Sequence, residues 1–353
     1  MIKRSLGATG VISILGSIAC ASAGVSRQAV TPVAHGAVAE SHVRSDMSAL
    51  ADDSMKGRMT GSPGSAKAAA FIAGQMSSIG LVPQGDSGYF QRVPIAVTRR
   101  ANGQERLTLA GSFAALDTFP ADHRKPGVNV VGMIRGSDPA LSQEVVLVDA
   151  HYDHLGVGKA VDGDSIYNGA DDDASGTTAV LEIARSIAAG RAPRRSILFV
   201  ATTGEEVGLL GTRWFIQHPP VALKAIVSNL EIEMIGRPDS LSGGVGRAWL
   251  TGYDRSTMGA MFTAAGLPIV ADARPDQHFF ERSDNIAYAQ MGIPAHTLSS
   301  YNMHTDYHKP SDELSRVDFG HMTRVIQAGV EAVRLLADGP VPHWNPGGQP
   351  APR

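Results

Sequence analysis

Short apolar runs rich in β-branched residues recur along the chain, and helical patterns lie between or after them. Runs of this length and composition are typical of strands that are buried on both faces of a sheet. Their alternation with helices predicts an α/β fold, which we expect to be a single domain with a mostly parallel central sheet flanked by helices on both faces. The predicted strands are residues 128–134, 144–150, 196–201, 225–232 and 295–298, and the predicted helices are residues 174–189, 209–217, 257–265, 284–291 and 319–336.

The flanking sequence sets the expected bounds of this domain. Helical patterns over 41–51 and 66–79 precede weaker strand patterns within 85–127. We therefore expect the domain to span residues 41–338. Residues 339–353 are rich in proline and glycine, and we expect them to form a frayed tail.

The N-terminus has the pattern of a signal peptide. Two basic residues, Lys3 and Arg4, precede an apolar run over 11–19, and an Ala-x-Ala-like cleavage site ends at Ala23. The run is too short to span a bilayer as a permanent helix. We therefore expect residues 1–23 to be removed and the protein to be periplasmic or secreted.

The single cysteine, Cys20, lies within this predicted signal peptide. If cleavage follows Ala23, the mature protein has no thiol, which excludes disulfides and cysteine-based metal or nucleophile chemistry. The alternative is a lipoprotein with Cys20 as its acylated first residue, but the three preceding residues do not begin with the leucine expected there. Residues 24–40 have no clear period and predict a flexible lead-in.

Composition excludes some classes of partner. Hydrophobic residues make up 43% of the chain and charged residues 18%, which is typical of a globular protein. The formal net charge is -3, and basic residues cluster only in short pairs such as Arg99-Arg100 and Arg194-Arg195. A dedicated nucleic-acid or acidic-membrane binder is therefore not expected. No stretch beyond the N-terminus is long and apolar enough to cross a membrane, and the sequence indicates no oligomeric state.

Side chains of the kind that bind metals follow four of the predicted strands. His151-Tyr152-Asp153-His154 follows strand 144–150, Glu205-Glu206 follows 196–201, Glu233 follows 225–232, and a segment with His304 and His308 follows 295–298. Ligands of open α/β sheets bind beyond the carboxyl ends of the strands. A histidine at a strand end is often structural, and paired glutamates often open a helix, but the recurrence favours a metal site. Nitrogen and oxygen ligands without sulfur suit zinc in a hydrolytic site.

The loop 168–176 contains three consecutive carboxylates, Asp171, Asp172 and Asp173. Adjacent anionic side chains repel one another, so such a loop at the mouth of a folded core requires a counter-charge. The ordinary alternative is a solvated acidic helix N-terminus, which the helix dipole also favours. The loop alone leaves both interpretations open.

Five segments together resemble the co-catalytic di-zinc aminopeptidases, the aminopeptidase Y-like family that also includes glutamate carboxypeptidases. In chain order they are Ala150-His151-Tyr152-Asp153-His154-Leu155-Gly156, the loop 168–176, Gly204-Glu205-Glu206-Val207-Gly208, Glu233-Met234-Ile235-Gly236 and Tyr307-His308-Lys309-Pro310-Ser311-Asp312. The resemblance extends over about residues 41–336. Some relatives carry an inserted protease-associated domain, for which the segment 85–127 is too short.

The resemblance implies two zinc ions per chain and assigns a role to each motif. The implied ligands are His151 and Glu233 on one ion, Glu206 and His308 on the other, and Asp172 as the bridge. Glu205 would be the general base toward the attacking water. A cis peptide bond is implied between Asp172 and Asp173.

Further residues are expected around these ligands. The carboxylate of Asp153 has the right spacing to accept the second ring N–H of His151. Asp171 and Asp173 are expected to shape the loop. Other second-shell or substrate-binding candidates are Asp312, Tyr301 and His304.

Two positions depart from the family pattern. Glu233 stands where the family has an aspartate, and its side chain is one methylene longer. Phe280 stands where some relatives have a tyrosine whose hydroxyl stabilises the oxyanion, so Tyr301 or His304 is expected to take that role.

The function implied by the resemblance is a zinc-dependent exopeptidase that hydrolyses N-terminal residues from peptides. This mode is preferred because the resemblance favours aminopeptidases and the sequence shows no evident basic pocket for an acidic C-terminal residue. A carboxypeptidase or dipeptidase acting with the same metals is the nearest alternative. A glutaminyl cyclase is less well supported, because those relatives use one zinc. A non-catalytic binding ectodomain is a further alternative, but every ligand position here remains chemically competent.

Overall fold

The computed structural model describes residues 1–2 and 36–352. Residues 36–352 belong to one compact unit. The predicted signal peptide, Cys20 and most of the predicted lead-in lie outside the described residues, apart from Met1 and Ile2.

A mixed sheet forms the centre of the compact unit. Within the described residues it has ten strands in the order β11-β10-β12-β9-β5-β8-β4-β2-β3, with β1 paired to β4. The strands are β1 Val82–Pro83, β2 Phe90–Arg99, β3 Glu105–Leu109, β4 Arg124–Ile134, β5 Val145–His151, β8 Ser196–Thr202, β9 Ile226–Ile232, β10 Ala248–Leu250, β11 Ile269–Ala271 and β12 Ala295–Ser299. The strands β6 Gly156–Val161 and β7 Asp164–Tyr167 form a separate hairpin. The central strands β8, β5, β9 and β12 are parallel, whereas β4, β2 and β3 continue the sheet in antiparallel pairs.

Helices cover both faces of this sheet, as the sequence predicted. They are α1 Glu40–Leu50, α2 Pro63–Ile79, α3 Phe113–Leu116, α4 Gly176–Ala188, α5 Leu210–Gln217, α6 Met258–Ala264, α7 Asn285–Gln290 and α8 Phe319–Asp338. The side chains of β5 alternate between the two faces. Val146 and Val148 pack in the core beneath α1, α2, α4 and α8, and Val145 and Leu147 pack in the core beneath α5 and α7. No helix of the described residues is long and apolar enough to cross a membrane.

The predicted strands and helices match the structure closely at their ends. The largest shifts are at α2, which begins three residues earlier than predicted, and at β4, which begins four residues earlier. Ser62 caps α2 by accepting a hydrogen bond from the N–H of Ser65 at 3.2 Å, and Pro63 is favourable at the first helical position. The residues before 128 are extended because they pair with β2.

The C-terminal segment is not frayed, so that expectation is wrong. Trp344 forms a β-bridge with Ser256, and its indole N–H donates to the carbonyl of Gly292 at 2.9 Å. Its ring also packs edge-on against Phe280, with centroids 6.4 Å apart. A large aromatic side chain with a satisfied N–H outweighs the flexible composition around it.

Parallel strands bring their carboxyl ends to one edge of the sheet. His151 ends β5 and pairs with Thr202 at the end of β8. Glu233 directly follows β9, and its main-chain N–H donates to Leu298 of β12 at 3.1 Å. The segments predicted to carry metal ligands therefore meet at this edge.

Candidate metal centre

Two groups of ligand atoms converge at the carboxyl edge and share one carboxylate. The first group is His151, Asp172 and Glu233, and the second is His154, Asp172 and Glu206; within each group the atoms lie within 4.8 Å of one another. His151 Nε2 is 3.4 Å from Asp172 Oδ1. Asp172 therefore lies in the position that a bridging ligand requires.

Two histidines approach the second position. His308 Nε2 is 3.2 Å from Asp172 Oδ2 and 3.3 Å from Glu206 Oε2. His154 donates from Nδ1 to Glu206 Oε1 at 2.7 Å. His154 stands in the first of the five motif segments, but no role was predicted for it. Its only signal was an imidazole at the end of a strand, three residues after His151.

The imidazole nitrogens at this centre test whether the residues fit a metal. Nε2 of His151, of His154 and of His308 has no hydrogen-bond partner within the described part of the chain. Buried polar atoms are normally paired, so the free Nε2 atoms of His151 and His308 beside the carboxylate of Asp172 fit the role of metal ligands. Nδ1–H of His151 donates to the carbonyl of Asp153 at 3.1 Å, which leaves the lone pair on Nε2 facing Asp172. The residues present thus fit zinc.

The charges of the site also favour a cation. Burial, and then the charge of Glu231, raise the pKa of Glu233 to about 8. Burial also raises the pKa of Glu205 well above its usual value, reinforced by the charges of Glu233 and Glu206 and opposed by His151. Carboxylates crowded in this way repel one another unless a positive charge lies between them.

The loop that carries Asp172 is held by its two flanking aspartates. Oδ1 of Asp173 accepts hydrogen bonds from the N–H groups of Gly176 and Met234, at 2.8 and 3.0 Å. Asp171 accepts from the N–H of Gly236 at 2.7 Å. Both carboxylates thereby tie the loop to the segment that follows Glu233. Of the three consecutive aspartates, Asp172 alone belongs to the ligand groups.

The peptide bond between Asp172 and Asp173 is cis, which confirms the expectation. Asp312 supports this part of the loop from the other side. Its carboxylate accepts from the N–H of Asp171 at 3.1 and 3.0 Å, and from the N–H of Asp172 at 3.0 Å. Arg237 donates to the same carboxylate at 3.2 Å. Asp312 therefore acts through the main chain of the acidic loop.

Asp153 supports the site differently from the expectation. The main-chain carbonyl of Asp153, not its carboxylate, accepts the ring N–H of His151, because the nearest carboxylate oxygen is 3.9 Å away. That carboxylate instead accepts from the hydroxyl of Thr60 at 2.7 Å and from the N–H of Glu205 at 3.2 Å. It thus fixes the main chain beside Glu205.

A buried arginine that the sequence analysis missed supports the motif loops. Arg58 is fully buried and donates to the main-chain carbonyls of Tyr152, Asn168, Gly169 and Leu50 at 2.6 to 2.9 Å. Burial lowers the pKa of Arg58, and the nearby carboxylates of the acidic loop oppose that shift. No sequence signal distinguished this arginine, because its carbonyl partners come from three separate segments.

A cavity opens onto both ligand groups. It is lined by Asp172, Glu205, Glu206, Glu233, Met234, Trp249, Thr251, Phe279, Arg282, Thr297, Ser299, Tyr301, Tyr307 and His308. Glu205 lies at the cavity with its side chain 12% exposed, and its Oε2 is 4.0 Å from His151 Nε2. A carboxylate that faces both the open space and the ligand groups is placed to accept a proton there.

The cavity also shows which aromatic residues reach the site. Tyr301 lines it, whereas His304 lies outside it and places Nε2 2.9 Å from Asp171 Oδ2. Tyr307 lines the cavity and stacks on His308 with ring centroids 3.9 Å apart. The sequence analysis did not single out Tyr307, although it directly precedes His308. Phe280 packs in the core against Trp344, while its neighbour Phe279 lines the cavity.

Comparison with known proteins identifies the family of this chain. The profile of peptidase family M28 matches residues 129–333, which is more than half of the 353 residues. The chain belongs to peptidase family M28. This family places it among the metallopeptidase hydrolases and confirms the resemblance to the co-catalytic zinc aminopeptidases.

One sequence relative of this M28 chain is leupeptin-inactivating enzyme 1 of Streptomyces exfoliatus. The two are 27% identical over 263 residues, which cover 67% of this chain and 55% of the relative. The matched region therefore spans little more than half of that relative.

Solved structures share the fold at low identity. A zinc aminopeptidase from Bacillus subtilis superposes with a TM-score of 0.63 at 16% identity, over 85% of this chain and 96% of that one. A glutaminyl cyclase from Porphyromonas gingivalis superposes with a TM-score of 0.59 at 16% identity, over 84% and 98%. At this identity the likeness concerns the fold alone, and it confirms the predicted single α/β domain.

Proposed function

We propose that this M28 protein is a zinc-dependent aminopeptidase that hydrolyses N-terminal residues from peptides. The observation that carries the proposal is the pair of ligand groups that share Asp172, with the carboxylate of Glu205 beside them at the cavity. The fold shared with a zinc aminopeptidase supports the exopeptidase mode. We further propose that the protein acts in the periplasm or outside the cell, as the signal-peptide pattern indicates.

In this mechanism His151, Glu233, Glu206, His308 and Asp172 would hold the zinc. Zinc held there would act as a Lewis acid toward the scissile carbonyl and the attacking water. Glu205 takes the proton from that water and passes it to the leaving nitrogen. Tyr301 and Tyr307 line the same cavity, and a tyrosine hydroxyl there can donate to the developing oxyanion.

The test is metal content measured by elemental analysis alongside a panel of aminoacyl-anilides. We expect two zinc ions per chain and release of the anilide only when the amino group is free. A protein that binds two zinc ions but cleaves none of the panel would contradict the aminopeptidase assignment. One tightly bound zinc with cyclisation of N-terminal glutamine would instead support a glutaminyl cyclase.

A carboxypeptidase or dipeptidase is the second candidate, and one observation favours it. Arg282 lines the cavity, with its guanidinium 5.0 Å from the centre of the Phe279 ring. An arginine at the mouth of a peptidase cavity can bind a substrate carboxylate in bidentate geometry. The sequence analysis identified no such residue.

Substrate pairs distinguish the two modes. N-blocked peptides with a free C-terminus are compared with free peptides whose C-terminus is amidated. Cleavage of the first set, with a KM raised at least tenfold by Arg282→Gln, would establish the carboxypeptidase mode. Cleavage of the amidated set alone would establish the aminopeptidase mode.

A further inference from the structure

A second groove adjoins the metal centre at Glu206. It has a volume of about 690 Å³. One wall is strand β3 with Arg100, and the other is the segment from Glu206 to the start of α5. Its lining residues are Arg100, Glu105, Arg106, Leu107, Thr108, Leu109, Glu206, Val207, Gly208, Leu210 and Arg213.

The groove runs along the edge of β3 and not over one of its faces. All five residues of β3, Glu105–Leu109, line it. Successive side chains of a strand point to opposite faces, so a surface in contact with every one of them must follow the edge.

This edge of β3 has no partner strand within the described residues. β3 is the last strand of the sheet and pairs only with β2. The N–H of Arg100 donates to the carbonyl of Gln104, and the N–H of Ala110 donates to the carbonyl of Pro94. In this register the even-numbered residues of β3 form the main-chain hydrogen bonds to β2. By the alternation of an antiparallel ladder, the N–H and C=O groups of Glu105, Leu107 and Leu109 face outward. They are available to pair with another extended chain.

The groove is also basic. Arg100, Arg106 and Arg213 are exposed, and none has a carboxylate within the 4.0 Å of an ion pair in the part of the chain that is described. Glu105 is compensated by Arg99, whose guanidinium lies 3.3 Å away. Three uncompensated arginines along one groove favour an acidic occupant.

Glu206 connects this groove to the metal centre. It belongs to the second ligand group and lines both the cavity and the groove. A peptide bond held at the metals therefore has the groove as a continuous path for the chain on one side of the cleaved bond.

We propose that the groove binds the residues downstream of the cleaved bond as an added strand on β3, with acidic side chains facing the arginines. The substrates would then be peptides with several acidic residues after the first one or two positions. This inference rests on the proposed aminopeptidase function and defines its substrate class.

The test compares three peptides that share an N-terminal leucine and continue with aspartate, asparagine or lysine at the downstream positions. For each enzyme the readout is kcat/KM for the peptide divided by kcat/KM for leucine anilide, which has no downstream residues. In the wild type we expect this ratio to be about tenfold higher for the aspartate peptide than for the lysine peptide. This difference between the two peptides should be smaller in 0.5 M salt, because the Debye length there is only roughly 4 to 5 Å and exposed charges are screened beyond it.

The matched variants are Arg100→Gln, Arg106→Gln and Arg213→Gln, singly and together, with Arg247→Gln as a control at an exposed arginine outside the groove. Each groove variant should lower the preference about two- to threefold, and the triple variant should abolish it. Arg247→Gln should retain it. An unchanged preference in the triple variant would overturn the proposal.

Strand addition has its own test in N-methylated aspartate peptides. Methylation removes one main-chain donor, so it should weaken turnover at alternate downstream positions and leave the positions between them unaffected. Equal effects at all positions would exclude pairing with β3.

Failure of the aminopeptidase function would be seen separately, as no release of leucine anilide by any of the proteins. In that case binding of a fluorescent acidic peptide is measured by anisotropy with the wild type and the triple variant. Tighter binding by the wild type would retain the groove assignment, and equal binding would remove it.

Discussion

Individual side chains at the carboxyl edge of the sheet have separate roles: some are placed to bind metal, one to transfer a proton, and others to hold the loops. Asp172 belongs to both ligand groups, Glu205 lines the cavity with its Oε2 4.0 Å from His151 Nε2, and Arg58 binds four main-chain carbonyls. Substitutions at these positions should therefore change different measurements.

Glu205→Gln should fold, retain its metal and lose most of its activity. The amide keeps the shape of the side chain but cannot accept a proton, and general acid–base transfer contributes roughly 10²- to 10⁴-fold to rate. kcat is measured on a preparation whose zinc content is known. Near-wild-type turnover by the zinc-replete variant would remove Glu205 from this role.

His308 and His154 should differ in their effects on the second metal. We expect His308→Ala to lose one of two zinc ions, because its free Nε2 faces both Asp172 and Glu206. His154→Gln should retain both ions and weaken the affinity for one of them about 10- to 100-fold, as is usual for a residue that orients a ligand. Competition with a chelator measures both affinities. If His154→Gln instead lost one zinc ion per chain, His154 would be assigned as the ligand.

Arg58→Met should destabilise the protein by about 3 kcal/mol or more. The change leaves buried carbonyls without donors and the acidic loop without its buried cation. The free energy of unfolding in urea provides the measurement, with the exposed Arg247→Gln as control. A loss below about 1 kcal/mol would show that water replaces the guanidinium.

At the scale of elements, two buried histidines in their neutral form connect β12 and α8 to neighbouring segments by hydrogen bonds. On β12, His296 donates from Nδ1 to the carbonyl of Thr251 and accepts at Nε2 from the hydroxyl of Ser256, both at 2.7 Å. On α8, His321 accepts at Nδ1 from the N–H of Gly246 at 2.8 Å. Burial lowers the pKa of each histidine to about 4. Protonation would break the bond in which each ring is the acceptor.

These two histidines should make the fold sensitive to mild acid. Their pKa in the folded state lies below the usual 6.5. Each neutral histidine therefore contributes its full share to the free energy of unfolding above about pH 6.5, and this share is lost as the pH falls toward and below 4. The complete loss is about 3 kcal/mol for each histidine. The free energy of unfolding is measured from pH 7.5 to 4.5. His296→Gln and His321→Asn should each flatten this slope, and an unchanged slope in both would refute the assignment.

At the scale of the whole molecule, the metal centre joins segments that are far apart in the chain. The ligands come from residues 151 to 308, and their carboxylates repel one another without a cation. Metal binding should therefore contribute to the stability of the entire domain, because the unfolded chain does not present the ligands together.

Removal of metal should lower the Tm of the wild type by several degrees. Ligand present at about 1,000 times its Kd stabilises by about 4 kcal/mol for each site. Asp172→Asn should contain less metal and show a smaller shift on chelation, because the bridging anion is lost. The Tm with and without chelator measures both effects. Equal shifts in the two proteins would contradict a bridging role for Asp172.

The sequence predicted the five motifs, the helices α1, α2 and α4 to α8, and the strands β4, β5, β8, β9 and β12, but it predicted none of β6, β7, β10 and β11. Buried parallel strands leave continuous apolar runs, and the motif residues directly follow those runs along the chain. The supporting residues were not readable. Arg58 lies in a turn-rich stretch and binds carbonyls from distant segments, and Arg282 has no neighbouring motif. Tail composition was misleading, because the packing of Trp344 against Phe280 depends on residues far away in the sequence.

The sequence by itself determined the α/β class, the family resemblance and the residues available as metal ligands, because strand burial and ligand chemistry are local properties of the chain. The tertiary structure alone decided that His154 shares the second position, that the carbonyl of Asp153 fixes the tautomer of His151, and that β3 ends the sheet beside Glu206. Each of these depends on distances between segments that lie far apart in the sequence. Such distances follow from how the sheet is ordered and how its loops pack, which no single stretch of sequence records.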